Sequence, residues 1–136
     1  MKFIILEELA SRSVIKPVIN QVEYHPYLTQ NSLKDYLKNQ NIVFEAWSPL
    51  GRGAILNDNI IKKIANKYNK SIAQIVIRWH LQKGTIVIQK SSSPYRIEEN
   101  VNVYDFNLAV DEIKVIDSLN KNQRNGHAPD DDYLKI

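Results

Sequence analysis

The sequence predicts an α/β fold with about three parallel strands and flanking helices, and three observations carry that reading. Three short runs have strand-like length and β-type composition. Segments whose apolar residues recur at helical spacing lie between and after them. Turn formers such as Pro26, Asn41, Ser48-Pro49 and Gly84 mark the joins.

The elements follow in order. Leu6 to Ala10 reads as the end of a helix feeding the first strand, Val18 to Tyr24, which alternates apolar and polar residues after Pro17. Pro26 ends that strand, and a helix with Leu33, Tyr36 and Leu37 on one face follows, closed by Asn41. The second strand is Ile42 to Trp47, broken by the turn-rich loop Ser48 to Gly53. Ile60, Ile61, Ile64 and Ala65 space a helix over 59–68, and Asn69-Lys70 interrupts it. Ser71-Ile72-Ala73-Gln74 then matches a capping box, opening a helix with Ile72, Ile75, Val76 and Trp79 on one face. Gly84 suits the position after that helix. The third strand is Thr85 to Ile88, Ser93 and Pro94 suit the start of the next helix, and a last helix lines up Ile113, Ile116 and Leu119. The tail from Asn122 is polar and reads as a mobile arm containing Asp130-Asp131-Asp132. The order is α-β-α-β-α-α-β-α-α, and strands alternating with helices indicate a parallel sheet. Two regions are expected: 1–121 as the folded unit and 122–136 as the tail.

Composition narrows the functional classes. The 136 residues are 43% hydrophobic and 24% charged, as in a globular chain. No apolar run approaches the roughly 18 residues of a membrane span. Cysteine is absent, which removes disulfides, thiolate metal sites and a Cys nucleophile, and fits a cytoplasmic protein. The net charge of +3 is spread among interleaved acids and bases, so no basic face for nucleic acid is visible. The four glycines, at 51, 53, 84 and 126, form neither a dinucleotide fingerprint nor a phosphate-binding P-loop. His25, His80 and His127 lack metal-ligand spacing and read as surface or hydrogen-bonded residues, His80 as packing within its helix.

The exit of the third strand stands out. Lys90 and Arg96 straddle the point where a strand ends and a helix begins, with Ser91, Ser92 and Ser93 between them. Free N–H groups at a helix start favour an anion, and an arginine fork pairs with phosphate. Two readings stay open on the residues alone: a solvated loop with a capped helix, or a phosphate monoester site with Glu99 and Asn100 placed to bond an adenine edge.

Four motifs in order resemble aldo-keto reductases. They are Gln21-Val22-Glu23-Tyr24-His25-Pro26-Tyr27-Leu28, Ala46-Trp47-Ser48-Pro49-Leu50-Gly51-Arg52-Gly53, Ile75-Val76-Ile77-Arg78-Trp79, and Lys90-Ser91 through Arg96 to Glu99-Asn100. The resemblance implies part of a TIM (β/α)₈ barrel, its C-terminal half, and NADP(H) as the cofactor. It implies that Gln21 bonds the nicotinamide carboxamide and that Trp47 stacks on the nicotinamide ring. Ser48, Leu50 and Arg52 would follow the pyrophosphate. Lys90, Ser91, Ser92 and Arg96 would hold the 2′-phosphate, and Glu99 and Asn100 the adenine. Barrel ligands sit at the C-terminal ends of strands, which agrees.

Three departures accompany the resemblance. Gln89 stands where the family usually has Pro, which should loosen the loop slightly. Ala109 stands where a Ser usually caps the last helix, at a cost of roughly 0.5–2 kcal/mol. The family's Asp, Tyr, Lys and His tetrad falls in a segment this chain lacks, so no catalytic residue is assigned. A full barrel takes roughly 250 residues. Three strands leave two unpaired edges, with Val18, Val22, Phe44, Val87 or their neighbours facing a cavity or solvent. Self-association or pairing with the N-terminal half is therefore expected. Two function classes follow: an NADP(H)-dependent carbonyl oxidoreductase present as its cofactor-binding half and expected to be inactive alone, or a non-catalytic nucleotide-binding or scaffold module or truncated gene product.

Overall fold

The computed structural model describes residues 3–129. Its elements are α1 (Phe3–Arg12), β1 (Ile19–Glu23), α2 (Asn31–Asn39), β2 (Val43–Trp47), a 3-10 stretch (Gly51–Asn57), α3 (Asn59–Tyr68), α4 (Ile72–Gln82), β3 (Ile86–Val87), α5 (Pro94–Val101) and α6 (Val110–Asp117). The order matches the sequence reading, with the 3-10 stretch added inside the loop after β2.

Local chemistry explains most boundaries. Asn41, Asn69 and Gly84 adopt left-handed backbone after their helices, a conformation open to Asn and Gly. The Asp58 carboxylate accepts from the N–H groups of Ile60 (2.9 Å) and Ile61 (3.0 Å), capping α3. At α4, Ser71 Oγ accepts from Gln74 N (3.2 Å) while Gln74 Oε1 accepts from Ser71 N (3.0 Å), the reciprocal box that the spacing predicts. Gln74 Nε2 also donates to the carbonyls of Glu99 (3.0 Å) and Asn102 (3.1 Å), tying the end of α5 to α4. At α6, Ala109 offers no oxygen, yet Glu112 Oε2 accepts from Ala109 N at 2.8 Å, so half of the box survives.

The strands form one parallel sheet in the order β1-β2-β3, leaving β1 and β3 as edges. Ile19 pairs with Val43, Glu23 with Trp47, and Ala46 with Val87. Side chains alternate between faces. One face carries Asn20, Val22, Phe44 and Ala46, all buried against the helices. Tyr24, just past β1, stacks on Trp79 of α4 (ring centroids 5.1 Å apart, 9° between planes) and meets Phe44 edge-on at 4.9 Å. Leu33 and Leu37 of α2, Ile61 and Ile64 of α3, and Ile75 and Val76 of α4 complete this core.

The other face is open. Ile19, Val43, Ile86 and Ile88 are each more than two-fifths exposed, with Gln21 beside them. The expected open positions are thus filled by Val18 and by the neighbours of the other residues named. Val22 and Phe44 lie under the helices, Val87 pairs with Ala46 on the covered side, and of the four named residues only Val18 faces solvent. In these strands both faces carry apolar residues, as in parallel sheets covered on both sides, so alternation could not say which face the helices take.

The tail differs from a mobile arm as far as it is described. Gln123 N donates to the Tyr27 carbonyl at 2.9 Å, and Asn125 and Gly126 are held by Glu23. Asp130-Asp131-Asp132 lies outside the described residues. Among the described residues no helix is long and apolar enough to cross a membrane, and no group of His, Asp or Glu is arranged to hold a metal ion.

Candidate functional site

The loop after β2 and the loop after β3 leave the sheet at the same end and enclose a groove. One part, about 530 Å³, is lined by Trp47, Ser48, Leu50, Arg52, Lys90 and Arg96, among others. The adjoining part, about 350 Å³, is lined by Lys90, Ser91, Arg96, Glu99 and Asn100 beside Ser71, Ile72 and Ala73 of the α4 start. Leu50, Leu56, Gln89, Lys90 and Arg96 line both, so the two parts are continuous.

Backbone geometry explains how the first loop makes its wall. Ser48, Gly51, Arg52 and Gly53 all have positive φ (50°, 56°, 52° and 91°). A non-Gly residue in that region is strained, so Ser48 and Arg52 are held there by their surroundings. The Gly51 and Gly53 N–H groups donate to the carbonyls of Ser48 (2.8 Å) and Leu50 (2.9 Å), closing two successive tight turns. The loop thus curls back over the sheet end instead of running out from it.

The second wall carries two of the groove's three cations, Lys90 and Arg96, and the first carries Arg52. Lys90, Arg96 and Arg52 are exposed, and none forms an ion pair with a described residue. Pro94 occupies the first turn of α5 as expected, but the Ser93 hydroxyl makes no capping bond. Instead Ser91 Oγ accepts from Ser93 N at 3.2 Å, shaping the turn before the helix. The first N–H groups of α5 are therefore left without a side-chain cap beside two cations, an arrangement that favours an anion.

The remaining expected residues are placed as follows. Gln21 sits on the open sheet face, two residues below the Glu23–Trp47 pair, with Nε2 donating to Glu45 Oε1 at 2.7 Å; it does not line the groove. Ser92 is exposed and lines neither part. Asn100 Nδ2 donates to Gln89 Oε1 at 2.6 Å. Gln89 therefore fastens the strand exit to α5, where loosening was expected from the loss of the proline.

Residues given no site role in the sequence reading form a cluster behind the groove. Glu23, at the end of β1, has no exposed side-chain area. It accepts from Asn125 N (2.6 Å), Gly126 N (3.0 Å) and His25 Nε2 (3.0 Å). Burial opposes its charged form, but these donors outweigh that and hold its carboxyl below the usual carboxylate range. Burial likewise pushes the His25 pKa down, against the pull of Glu23. Gly126 lies against the Trp47 ring. An acid inside a strand run and a glycine near the end of the chain were the only sequence signals of this cluster.

The comparisons with known proteins agree with the geometry. Residues 4–121 match the family model described as "Aldo/keto reductase family". The chain belongs to that family. It is 49% identical over 126 residues to a glyoxal reductase of Bacillus subtilis, a match spanning 93% of this chain and 46% of the relative. It is 44% identical over 127 residues to the methylglyoxal reductase DkgA of Yersinia pestis, spanning 92% and 46%. Among solved structures, a mutant of Gox0644 in complex with NADPH superposes with a TM-score of 0.90 at 41% identity, covering 93% of this chain and 47% of that one. A Bombyx mori aldo-keto reductase in complex with NADP gives 0.80 at 37% identity, covering 88% and 42%. The chain thus spans about half the length of the relatives it matches, and its three-stranded sheet is part of an aldo-keto reductase TIM barrel.

Proposed function

We propose that this chain is the NADP(H)-binding half of a cytoplasmic aldo-keto reductase-type oxidoreductase, one that reduces small carbonyl compounds by hydride transfer. The observation that carries the reading is the groove itself. Lys90 and Arg96 line both of its parts without an acidic partner, and Trp47 lines one of them. In this reading the 2′-phosphate sits by Lys90, Ser91, Ser92 and Arg96 at the uncapped start of α5. The pyrophosphate follows Ser48, Leu50 and Arg52, and the adenine lies near Glu99 and Asn100. The nicotinamide rests on Trp47 with its carboxamide toward Gln21. When bound, the cofactor supplies the hydride; the residues named here bind and orient it.

In this reading residues 1–136 supply the cofactor contacts, and the groups that protonate the carbonyl oxygen belong to the part of the longer relatives that these residues do not match. Its open sheet face and its two free edges suit completion by the strands that the longer relatives carry. The outer side of α5 and the loop after it add Ile97, Val101 and Tyr104, each more than half exposed, along an apolar groove. A partner supplying the N-terminal strands would cover these surfaces, as an exposed apolar patch of this kind calls for.

Fluorescence titration with NADPH and NADH tests the cofactor reading. Lys90→Ala and Arg96→Ala should each weaken NADPH binding about tenfold or more while leaving NADH nearly unchanged, since each removes a charge-assisted contact to phosphate. Equal binding of both nucleotides, unaffected by either substitution, would sink it. Mixing the chain with the N-terminal half of a relative should give a 1:1 complex in sedimentation; a chain that stays monomeric in that mixture refutes the partner.

A further inference from the structure

Glu23 and Gln21 point to the same face of β1, yet Gln21 is exposed and the Glu23 carboxylate is fully buried. The difference comes from residues 124–126, which close over the end of the strand. A buried carboxylate is costly unless several donors meet it. Here the successive N–H groups of Asn125 and Gly126 take one oxygen each, His25 Nε2 adds a third bond, and the Arg124 guanidinium lies 3.7 Å away. Asn125 Nδ2 also donates to the Gly51 carbonyl at 3.1 Å, fixing the segment to the loop behind Trp47.

This fixed path brings Gly126 against the Trp47 ring. A Cβ on Gly126 would run into Cη2 and lie 3.1 and 3.2 Å from Cζ3 and Cζ2, so only glycine fits while the ring keeps its orientation. Trp47 is directly paired with Glu23 in the sheet, so the carboxylate, the segment and the ring form one closed circuit.

We propose that Glu23, acting through residues 124–126, is a positioning residue that sets the orientation of the Trp47 ring, with Gly126 as the stop that the Cη2 edge of the ring meets. The consequence for cofactor affinity rests on the proposed function: a ring turned out of this orientation no longer offers its face to the nicotinamide. Glu23 touches neither the groove nor the cofactor and works only through the strap it holds.

The test uses the full chain labelled with 5-fluorotryptophan, whose two ¹⁹F lines are assigned with Trp47→Phe. Glu23→Gln and Gly126→Ala should both shift or broaden the Trp47 line and leave that of Trp79 in place, which also shows that the core has kept its packing. Gly126→Ala should weaken NADPH binding about tenfold, and should have no further effect once Trp47→Ala has made room. If Glu23→Gln does not fold, Gly126→Ala alone decides. A Trp47 line unmoved in the folded variants overturns the proposal, as does an NADPH affinity within twofold of the parent. If the parent chain binds no nucleotide, the proposed function fails, and the Trp47 line by itself decides the positioning role.

Discussion

Both faces of the sheet carry large apolar residues, and their fates are opposite. On one, Val22, Tyr24, Phe44 and Ala46 are buried beneath α2, α3 and α4. On the other, Ile19, Val43, Ile86 and Ile88 remain two-fifths exposed or more, and only the Glu23 end is closed, by the C-terminal strap. Apolar character sets what a face needs, whereas connectivity sets which face is served first. A helix following each strand can return only over the outer side of a barrel sheet, so the inner side must be filled by other strands.

The sharpest way to break this contrast is a truncation on each side. Trp79→Ala, on the covered side, removes a fully buried ring whose Nε1 donates to Asp117 Oδ1 at 2.8 Å; it should cost about 3–5 kcal/mol in urea unfolding. A loss below about 1 kcal/mol would mean that the covered face is not the core.

The second test uses pH. His80 is fully buried between the carbonyls of Val76 (2.7 Å) and Tyr24 (3.1 Å), and burial outweighs them to bring its pKa down to about 4. The unfolded chain takes up this proton near pH 6.5 and the folded one does not. Stability should therefore be complete above pH 6.5 and fall as the pH drops toward 4, by about 3 kcal/mol from this group. Subtracting the profile of His80→Gln isolates it from the carboxylates. Identical slopes in the two proteins would show that His80 is not held neutral.

Ser71→Ala should cost about 1 kcal/mol by opening the capping box at α4, with Gln74→Ala costing more because Gln74 also grips the end of α5. The smallest effect is expected on the open face. Val43→Thr should stay within about 0.5 kcal/mol of the parent in the isolated chain. A loss like that at Trp79 would mean that a second copy already covers this side in solution.

Much of the fold was legible because its signals are local. The Ser71-x-x-Gln74 spacing, the apolar spacing over 59–68 and the positions of Asn41, Asn69 and Gly84 each dictate a boundary without reference to the rest of the chain. The groove was legible as a list of residues, since Trp47, Ser48, Leu50, Arg52, Lys90 and Arg96 meet there. What escaped depends on tertiary placement. Alternation could not choose the covered face, the idle Ser93 hydroxyl and the Gln89–Asn100 bond depend on how α5 docks, and the tail gains its hold from a carboxylate 102 residues away in sequence.

The start of α6 shows what such placement implies for assembly. Its backbone is steadied by Glu112, and that same carboxylate receives the Lys67 ammonium at 2.6 Å and the Tyr68 hydroxyl from α3. A serine at 109 would have let this helix begin with its own resources. With alanine there, a synthetic peptide covering only the last helix should remain mostly coil in water, and its helicity should arise late, when the third helix has already found its berth.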